Sequence, residues 1–308
     1  MKLLRGFTDP AAYSGGCVSI GNFDGVHRGH QQMIAALVEQ ARRDAVPAVV
    51  MTFDPHPITL LAPGRVPPRL STLERKAELL EACEVDVLVA YPTDRHLLSL
   101  SPVEFFARVV QGELQARGLV EGPNFCFGKD RAGDVETLRA LCDAAGMSLT
   151  VVEAVTEGDL IVSSSAVRAA LKTGRMSDAV RMLGHPYRLT GRVGPGAGRG
   201  RAIGFPTANL IDVETMLPAQ GVYAAQAHVE GVVHPAAVHL GPNPTFAEED
   251  SKLEVHVLDF AGDLYGQSLS IDLLARLRAT MHFSDAVALQ NQLKEDVATI
   301  RRIGNTLP

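Results

Sequence analysis

Apolar and polar positions follow two different rhythms along the chain, and the rhythm changes near residue 184. Before that point, short continuous apolar segments alternate with stretches in which apolar residues recur every three or four positions. Continuous apolar segments are typical of buried parallel strands, and the longer spacing is typical of helices that cover them. The predicted strands are CVSIG, PAVVMTF, VDVLVAY, GLVEG and SLTVVEAV, and the predicted helices are Gln31–Arg43, TLERKAELLEAC, SPVEFFARVVQGEL and Val135–Ala145. This order predicts an N-terminal α/β domain with a doubly wound parallel sheet.

After residue 184, glycine and proline become frequent and the apolar residues alternate in short segments. Such spacing predicts a small antiparallel β-barrel. Its strands are expected in YRLTGRV, GVYAAQAHV, AAVHL, LEVHVLDF and LSIDLLARL, and a closing helix is expected over Ser284–Arg302. We therefore expect two domains, residues 1–183 and 184–308.

Composition narrows the class of protein. The 308 residues carry a formal net charge of −6 without a dense basic run, so a nucleic-acid partner is not expected. No stretch of about 18 apolar residues is present, so a membrane partner is not expected either. The four cysteines form no CxxC pair, which favours free thiols and a cytoplasmic location. The oligomeric state does not follow from the sequence.

The segment GNFDGVHRGH follows the first of these predicted strands and leads into a predicted helix. It contains Gly21, Asn22, Asp24, His27 and His30. Two histidines three positions apart can face the same way, as a helix cap, as part of a metal site or as phosphate ligands. A metal site would need further ligands that are not evident nearby. The position of the segment at the carboxyl end of a parallel strand favours a phosphate site. The alternative that the two histidines are merely polar residues at a helix start stays open.

Three other segments of the first half carry polar residues at predicted loops. In VSSSAVRAAL, the residues Ser163–Ser165 precede a helix that contains Arg168, which fits either an ordinary serine cap or a phosphate site. Asn124 lies in the glycine-bounded loop GPNFCFG, which by itself is equally typical of a structural turn. In TFDPHP, Asp54 and His56 could be turn residues set by the two prolines.

The second half has two segments with candidate chemistry. GPGAGRGRAIGFPTANL is glycine-rich but matches no P-loop, and its Gly200 and Arg201 lie in a candidate phosphate-covering flap. Thr207 and Asn209 alternate with Ala208, so both side chains point to one side of a strand and could hold Mg²⁺. In LEVHVLDF, Glu254 lies opposite an apolar face of Leu253, Val255 and Val257. Solvated strand faces would show the same patterns.

Together these segments resemble a known family. GNFDGVHRGH resembles the HxGH signature of nucleotidyltransferases. With TFDPHP, RLSTLERKAELL, GPNFCFGKDRAGD, VSSSAVRAAL, GHPYRLTGRV, GRGRAIGFPTANL, LGPNPTF and LEVHVLDFAGDLYG, the chain is similar almost throughout to the prokaryotic bifunctional riboflavin kinase/FAD synthetases. GHPY departs from the GRPY more common there, and Ser165 stands where that family has threonine.

The resemblance implies roles for the candidate residues. His27 and His30 would donate to ATP phosphate oxygens during adenylyl transfer, and Glu254 would accept a proton during riboflavin phosphorylation. Thr207 and Asn209 would hold Mg²⁺. The remaining binding residues for ATP or flavin would be Gly21, Asn22, Asp24, Asn124, Ser163, Ser164, Ser165, Arg168, Gly200, Arg201 and Arg278.

The function implied is a two-step synthesis that uses ATP twice, first to make FMN from riboflavin and then to make FAD and pyrophosphate from FMN. Three alternatives stay open at this point. The chain could retain one activity only, could bind flavin without catalysis, or could adenylylate another substrate. The presence of every motif from both halves argues against all three.

Overall fold

The computed structural model describes residues 1–158, 160–196, 200, 204–243 and 248–304. The chain divides into two compact units, Met1–Ser163 and Ser164–Pro308. The sequence pattern places the domain boundary at 183/184 instead. The reason is that the two helices between residues 163 and 184 have the same spacing of apolar residues as the helices of the first half. In the structure the second of those helices, Met176–Leu183, packs against strands of the second unit.

The first unit is built on a six-stranded parallel sheet, as expected. Its order is β1-β4-β3-β2-β5-β6. The strands are β1 Lys2–Arg5, β2 Cys17–Ile20, β3 Ala48–Phe53, β4 Val87–Tyr91, β5 Gly118–Glu121 and β6 Ser148–Val151, and a small antiparallel hairpin follows as β7 Thr156–Glu157 and β8 Leu160–Ile161.

Helices connect these strands, and two apolar clusters form the core of the sheet unit. The helices are α1 Pro10–Tyr13, α2 Arg28–Arg43, α3 Ile58–Leu61, α4 Leu73–Ala82, α5 Arg95–Ser99, α6 Pro102–Phe105 and α7 Val135–Ala145. All four residues of β2 are buried, which agrees with a strand covered on both faces.

Among the differences between this unit and the expectation, two concern the pattern of apolar residues. The edge strand β1 was not predicted, because its four residues carry two charges and lack a continuous apolar run. The single predicted helix over SPVEFFARVVQGEL is instead α6 followed by a π-helix, Phe106–Glu113. Apolar spacing of three to four residues indicates a helical face but does not distinguish α from π winding.

The second unit is a closed six-stranded barrel, again as expected, in the order β10-β13-β12-β11-β14-β9 with antiparallel pairing. Its strands are β9 Tyr187–Gly194, β10 Ala208–Ile211, β11 Gly221–Val229, β12 Val232–Asn243, β13 Glu248–Val257 and β14 Ser268–Arg278. Its helices are α8 Ser164–Lys172, α9 Met176–Leu183 and the closing α10 Ala286–Gly304.

Candidate active sites

The parallel sheet changes its winding direction between β2 and β5. From β2 the chain builds β3 and β4 on one side, and β5 and β6 follow on the other side. At such a switch point the loops on the two sides diverge, and ligands bind in the crevice between them at the carboxyl ends of the strands. Here the backbone N–H of Ile20 donates to Glu121 Oε1 at 2.7 Å, so a side chain takes the place of a ladder bond. The loops Gly21–His27 and 122–128 lie directly beyond this point.

His27 and His30 meet at the N-terminus of α2, as the sequence predicted. Their rings are stacked with centroids 3.6 Å apart. His27 is the N-cap, and its Nδ1 accepts from the backbone N–H of His30 at 3.3 Å. A neutral His27 therefore carries its hydrogen on Nε2, where it can donate to a ligand. A Cβ on Gly29 would lie 3.2 Å from the His27 ring, so glycine leaves room for the stack.

The environment of His30 keeps its ring uncharged. Burial, the neighbouring His27 and the charge of Lys76 hold the pKa of His30 well below its usual range. Its Nδ1 is buried and has no hydrogen-bond partner among the described residues, and the same holds for Asn22 Oδ1. Buried polar atoms are nearly always paired, so two orphaned atoms on adjoining segments indicate a place for a ligand.

The loop between β2 and α2 is strained and clamped. Phe23 and Val26 both adopt positive φ, 45° and 37°, an unfavourable conformation for side chains with a Cβ and especially for valine. Asp24 fixes the loop because its carboxylate accepts from the backbone N–H groups of Leu70 and Ser71 at 3.0–3.1 Å. Asp24 thus shapes the loop through contacts that the sequence did not reveal.

Two buried ionisable residues beside this loop were missed in the sequence. Lys76 on α4 is 8% exposed, and Glu121 at the end of β5 is 1% exposed. Burial raises the pKa of Glu121 well above its usual range, against the effect of the bond from Ile20. Lys76 could have been found, since it interrupts the apolar face of its helix at the position three after Leu73. Glu121 could not, because its partner depends on the strand order.

The other first-half candidates lie in loops or at a helix start. Asn124 is exposed in the turn after β5. Asp54 lies 3.7 Å from Arg69, and the ring of His56 accepts from the backbone N–H of Ile58 at 3.1 Å, which is the turn role expected for this segment. Ser163 ends the first compact unit, whereas Ser164, Ser165 and Arg168 belong to α8 of the second.

In the barrel, strand register brings three polar residues into one row. Glu254 on β13 is directly opposite Asn209 on β10 and His239 on β12. His239 Nδ1 lies 3.5 Å from Glu254 Oε2, and both side chains are less than one-fifth exposed. Directly opposed residues share one face of a sheet. The burial of Leu253, Val255 and Val257 confirms the apolar face predicted for this strand, and His239 is a residue that the sequence analysis missed.

The segment before β10 is held close to this row. His256 Nδ1 is 2.7 Å from the carbonyl oxygen of Pro206, and Thr207 lines a cavity of about 80 Å³ at this edge of the barrel. A Cβ on Gly196 would fall 1.9 Å from Asn209 Nδ2, so the glycine-rich segment approaches the Asn209 side chain closely. Gly200 accepts from the backbone N–H of Phe205 at 2.8 Å. The candidate Arg201 lies outside the described residues.

Arg278 binds the closing helix. Its guanidinium makes a bidentate ion pair with the nearly buried Asp296, with Nη2 2.8 Å from Oδ2, and lies 5.7 Å from the centre of the Phe283 ring. The expected flavin contact of Arg278 stays a prediction, and the structure adds an anchoring role for this side chain.

Across the described residues, no group of three or more histidine, cysteine, aspartate or glutamate side chains is arranged to hold a metal ion. Every described helix is too short or too polar to cross a membrane. All four cysteines are free.

Comparison with known proteins assigns both halves. The family model for FAD synthetase matches residues 9–166, and the model for riboflavin kinase matches residues 183–304. The bifunctional riboflavin kinase/FMN adenylyltransferase of Escherichia coli (strain K12) is 37% identical over the full length of both chains. The enzyme of the same name from Bacillus subtilis (strain 168) is 36% identical over 91% of this chain and 89% of its own.

A solved structure shares the fold of nearly the whole chain. A protein from Streptococcus pneumoniae, described as a macrolide-efflux protein, has a TM-score of 0.86 and 31% identity. The match covers 97% of this chain and 98% of the other.

Proposed function

The chain belongs to the bifunctional riboflavin kinase/FMN adenylyltransferases, and from this premise we propose which of its residues carry the two reactions. It phosphorylates riboflavin to FMN and adenylylates FMN to FAD, with ATP as the second substrate of both steps. Our assignment depends on the observation that the two units present unlike groups. One unit has two stacked histidines at a helix start, and the other has a carboxylate on a barrel strand.

In adenylyl transfer, a phosphate oxygen of FMN attacks the α-phosphorus of ATP. The new phosphorus–oxygen bond forms as the bond to the bridging oxygen breaks, and pyrophosphate leaves. We assign His27 Nε2 and His30 as donors to the phosphate oxygens that gain charge in this step, together with the N-terminus of α2. Their support is the stacked geometry, the tautomer set by the N-cap and the unpaired Nδ1 of His30.

The surrounding loops would position the substrates. We assign Gly21, Asn22 and Asn124 to the flavin and phosphate side of the crevice, since they flank the switch point of the sheet, and Asp24 to holding that loop in place. From the family resemblance, we assign binding of ATP phosphates to the serine-rich segment that leads into α8. The residues of that segment are Ser163, Ser164, Ser165 and Arg168.

In the kinase step, the 5′-hydroxyl of riboflavin attacks the γ-phosphorus of ATP and ADP leaves. We assign Glu254 as the base that takes the hydroxyl proton. It is a partly buried carboxylate on the polar face of β13, 3.5 Å from His239. Gly200 and Arg201 would cover the ATP phosphates, and Arg278 would contribute to the flavin side while it anchors α10.

Thr207 and Asn209 fit a Mg²⁺ that is shared with ATP. A hydroxyl and an amide oxygen are the hard, neutral ligands that suit Mg²⁺ when phosphates and water complete its shell. Glycine at position 196 lets the backbone of the glycine-rich segment lie close to the Asn209 side chain, because a Cβ there would fall 1.9 Å from Asn209 Nδ2. When bound, the ion would offset charge on the ATP phosphates.

Further proposals concern organisation and location. We assign the functional modules to residues 1–183 and 184–308, a division supported by the segments that the two family models match, 9–166 and 183–304. A cytoplasmic location is supported by the free cysteines. Small molecules are the proposed partners, without nucleic acid or membrane.

Isotope transfer tests the assignment of the two reactions. The chain is incubated with riboflavin, Mg²⁺ and ATP labelled either at the γ- or at the α-phosphate, and the flavins are separated by chromatography. Label from the γ-phosphate should enter FMN and FAD, whereas label from the α-phosphate should enter FAD alone. Entry of γ-label into no flavin would contradict the kinase assignment, and absence of α-label from FAD would contradict the adenylyl-transfer assignment.

A further inference from the structure

Lys76 joins α4 to the loop that carries the adenylyl-transfer site. Its ammonium donates to Thr52 Oγ1 at 3.0 Å, and Thr52 Oγ1 donates to the carbonyl oxygen of Asn22 at 3.1 Å. Thr52 is completely buried near the end of β3, and Lys76 is 8% exposed. The lysine therefore reaches from the helix across the strand end to the loop between β2 and α2.

The ammonium has more donors than the protein satisfies. A lysine carries three N–H donors, and among the described residues Thr52 is the one hydrogen-bond acceptor of Lys76. A buried ammonium with unused donors is costly unless an anion completes its shell. Asn22 Oδ1 and His30 Nδ1 are buried without partners on the adjoining segments. The Lys76 ammonium, Asn22 and His30 therefore place polar groups around the loop between β2 and α2.

The charges that face Lys76 come from each neighbouring segment. Asp24 in the β2–α2 loop and Asp54 after β3 favour its protonated form, and Arg69 before α4 opposes it. His30 on α2 is close enough for the Lys76 charge to lower its own pKa. The carboxylate of Asp24 is already engaged by backbone N–H groups. The carboxylate that most favours the Lys76 charge is therefore itself held by backbone N–H groups.

We propose that Lys76 is a substrate-binding residue of the adenylyl-transfer site, where its ammonium holds a phosphate group of FMN or ATP and its bond to Thr52 fixes the loop of Asn22. The inference rests on the proposed site of His27 and His30. Phosphate is the chemistry that suits an ammonium beside neutral histidine donors, because both donate to the same kind of oxygen.

If the Lys76 ammonium binds phosphate, the rate of adenylyl transfer depends on its protonation, which a purely packing role would not produce. Burial lowers the pKa of Lys76 to about 8. Adenylyl transfer should therefore fall as pH rises through about 8, where the ammonium loses its proton. An arginine at this position stays charged throughout that range.

The test compares Lys76→Met and Lys76→Arg with the unaltered chain and with Lys294→Met, an exposed lysine of α10. FAD formation from supplied FMN is measured against FMN and ATP concentration from pH 6.5 to 9.5. We expect kcat/KM to fall on the order of 10²-fold in Lys76→Met, and the alkaline decline to disappear in Lys76→Arg. A raised KM for FMN identifies the flavin phosphate, and a raised KM for ATP identifies the nucleotide phosphates.

Two further variants keep the outcome decisive. Thr52→Val retains the lysine and removes the hydroxyl that links it to the carbonyl oxygen of Asn22. It should therefore impair adenylyl transfer, which tests the inference even if Lys76→Met fails to fold. His27→Asn is measured in parallel, because loss there with unaltered rates in Lys76→Met and Thr52→Val overturns the Lys76 inference alone. Unaltered rates in His27→Asn would instead overturn the proposed site. In each chain, FMN formation from riboflavin reports whether the kinase remains intact.

Discussion

The nucleophiles of the two reactions differ in protonation state, and the proposed sites in the two units differ accordingly. The phosphate of FMN is already ionised near neutral pH, so the sheet unit needs donors for developing charge and no base. Its proposed donors are His27 and His30 together with the N-terminus of α2. The 5′-hydroxyl of riboflavin keeps its proton until it attacks, so the barrel needs an acceptor. Its proposed acceptor is Glu254, on the polar face of β13.

The units also assemble these groups by different means. At the carboxyl end of β2, one strand, one loop and one helix bring His27 and His30 together within a single stretch of chain. In the barrel, Asn209, Glu254 and His239 come from three strands and meet only through register. A one-residue slip of β13 would turn Glu254 to the interior, so the kinase site depends on correct pairing of the whole barrel.

Loss of the barrel's acceptor should give the largest effect. Glu254→Gln keeps the shape of the side chain and removes the base, so FMN formation should fall by about 10²–10⁴-fold. Conversion of supplied FMN to FAD should continue at the unaltered rate. The control is Glu230→Gln, an exposed carboxylate of the same barrel. Kinase turnover near the normal level at saturating substrates would exclude Glu254 as the base.

Loss of a donor in the sheet unit should come next. His27→Asn retains a good N-cap and removes the Nε2 donor, so FAD formation should fall on the order of 10²–10³-fold while thermal stability is retained. His30→Ala should act in the same direction. FMN formation should stay intact in both.

The control for the histidines is His96→Ala, an exposed residue of the same unit. If His27→Asn restored the FAD synthesis that His27→Ala had lost, capping rather than donation would explain the role of His27.

A smaller change is expected for the proposed metal ligands. Thr207→Ala and Asn209→Ala should raise the Mg²⁺ concentration for half-maximal FMN formation by about 10-fold or more, since even indirect supports of a metal contribute that much. Mg²⁺ titration of the kinase reaction measures the shift, with the FAD step as internal reference. An unchanged Mg²⁺ requirement with a lowered maximal rate would assign these side chains to another task.

The smallest effect concerns stability of the sheet unit. Because the folded-state pKa of Glu121 is raised, its contribution to stability is full below its unfolded pKa, about 4.3, and is lost as pH rises toward the folded value. Glu121→Gln keeps an acceptor for Ile20 and removes this titration. Relative to the unaltered chain, its free energy of unfolding should gain up to about 1.4 kcal/mol per pH unit above pH 5. Calorimetry measures the free energy of unfolding of both chains against pH, and the same pH dependence in both would contradict this expectation.

The sequence predicted what is local and missed what depends on pairing across the fold. The alternation of segments predicted both architectures, and the contiguous segment from Gly21 to His30 predicted that the two histidines would lie together at a helix start. His239 was not found, because nothing in AAVHL shows which strand lies beside it. Lys76 was visible as a charge on an apolar helix face, but its contact with Thr52 depends on how α4 packs against β3.

Complementation between two variants tests whether the chain holds two separate sites with opposite chemistry. His30→Ala and Glu254→Gln chains are each incubated with riboflavin, ATP and Mg²⁺, alone and as an equimolar mixture, and FAD is quantified. His30→Ala alone should yield FMN, Glu254→Gln alone should yield almost no flavin phosphate, and the mixture should yield FAD. If the mixture makes no more FAD than the sum of the separate chains, the two reactions do not use separate sites.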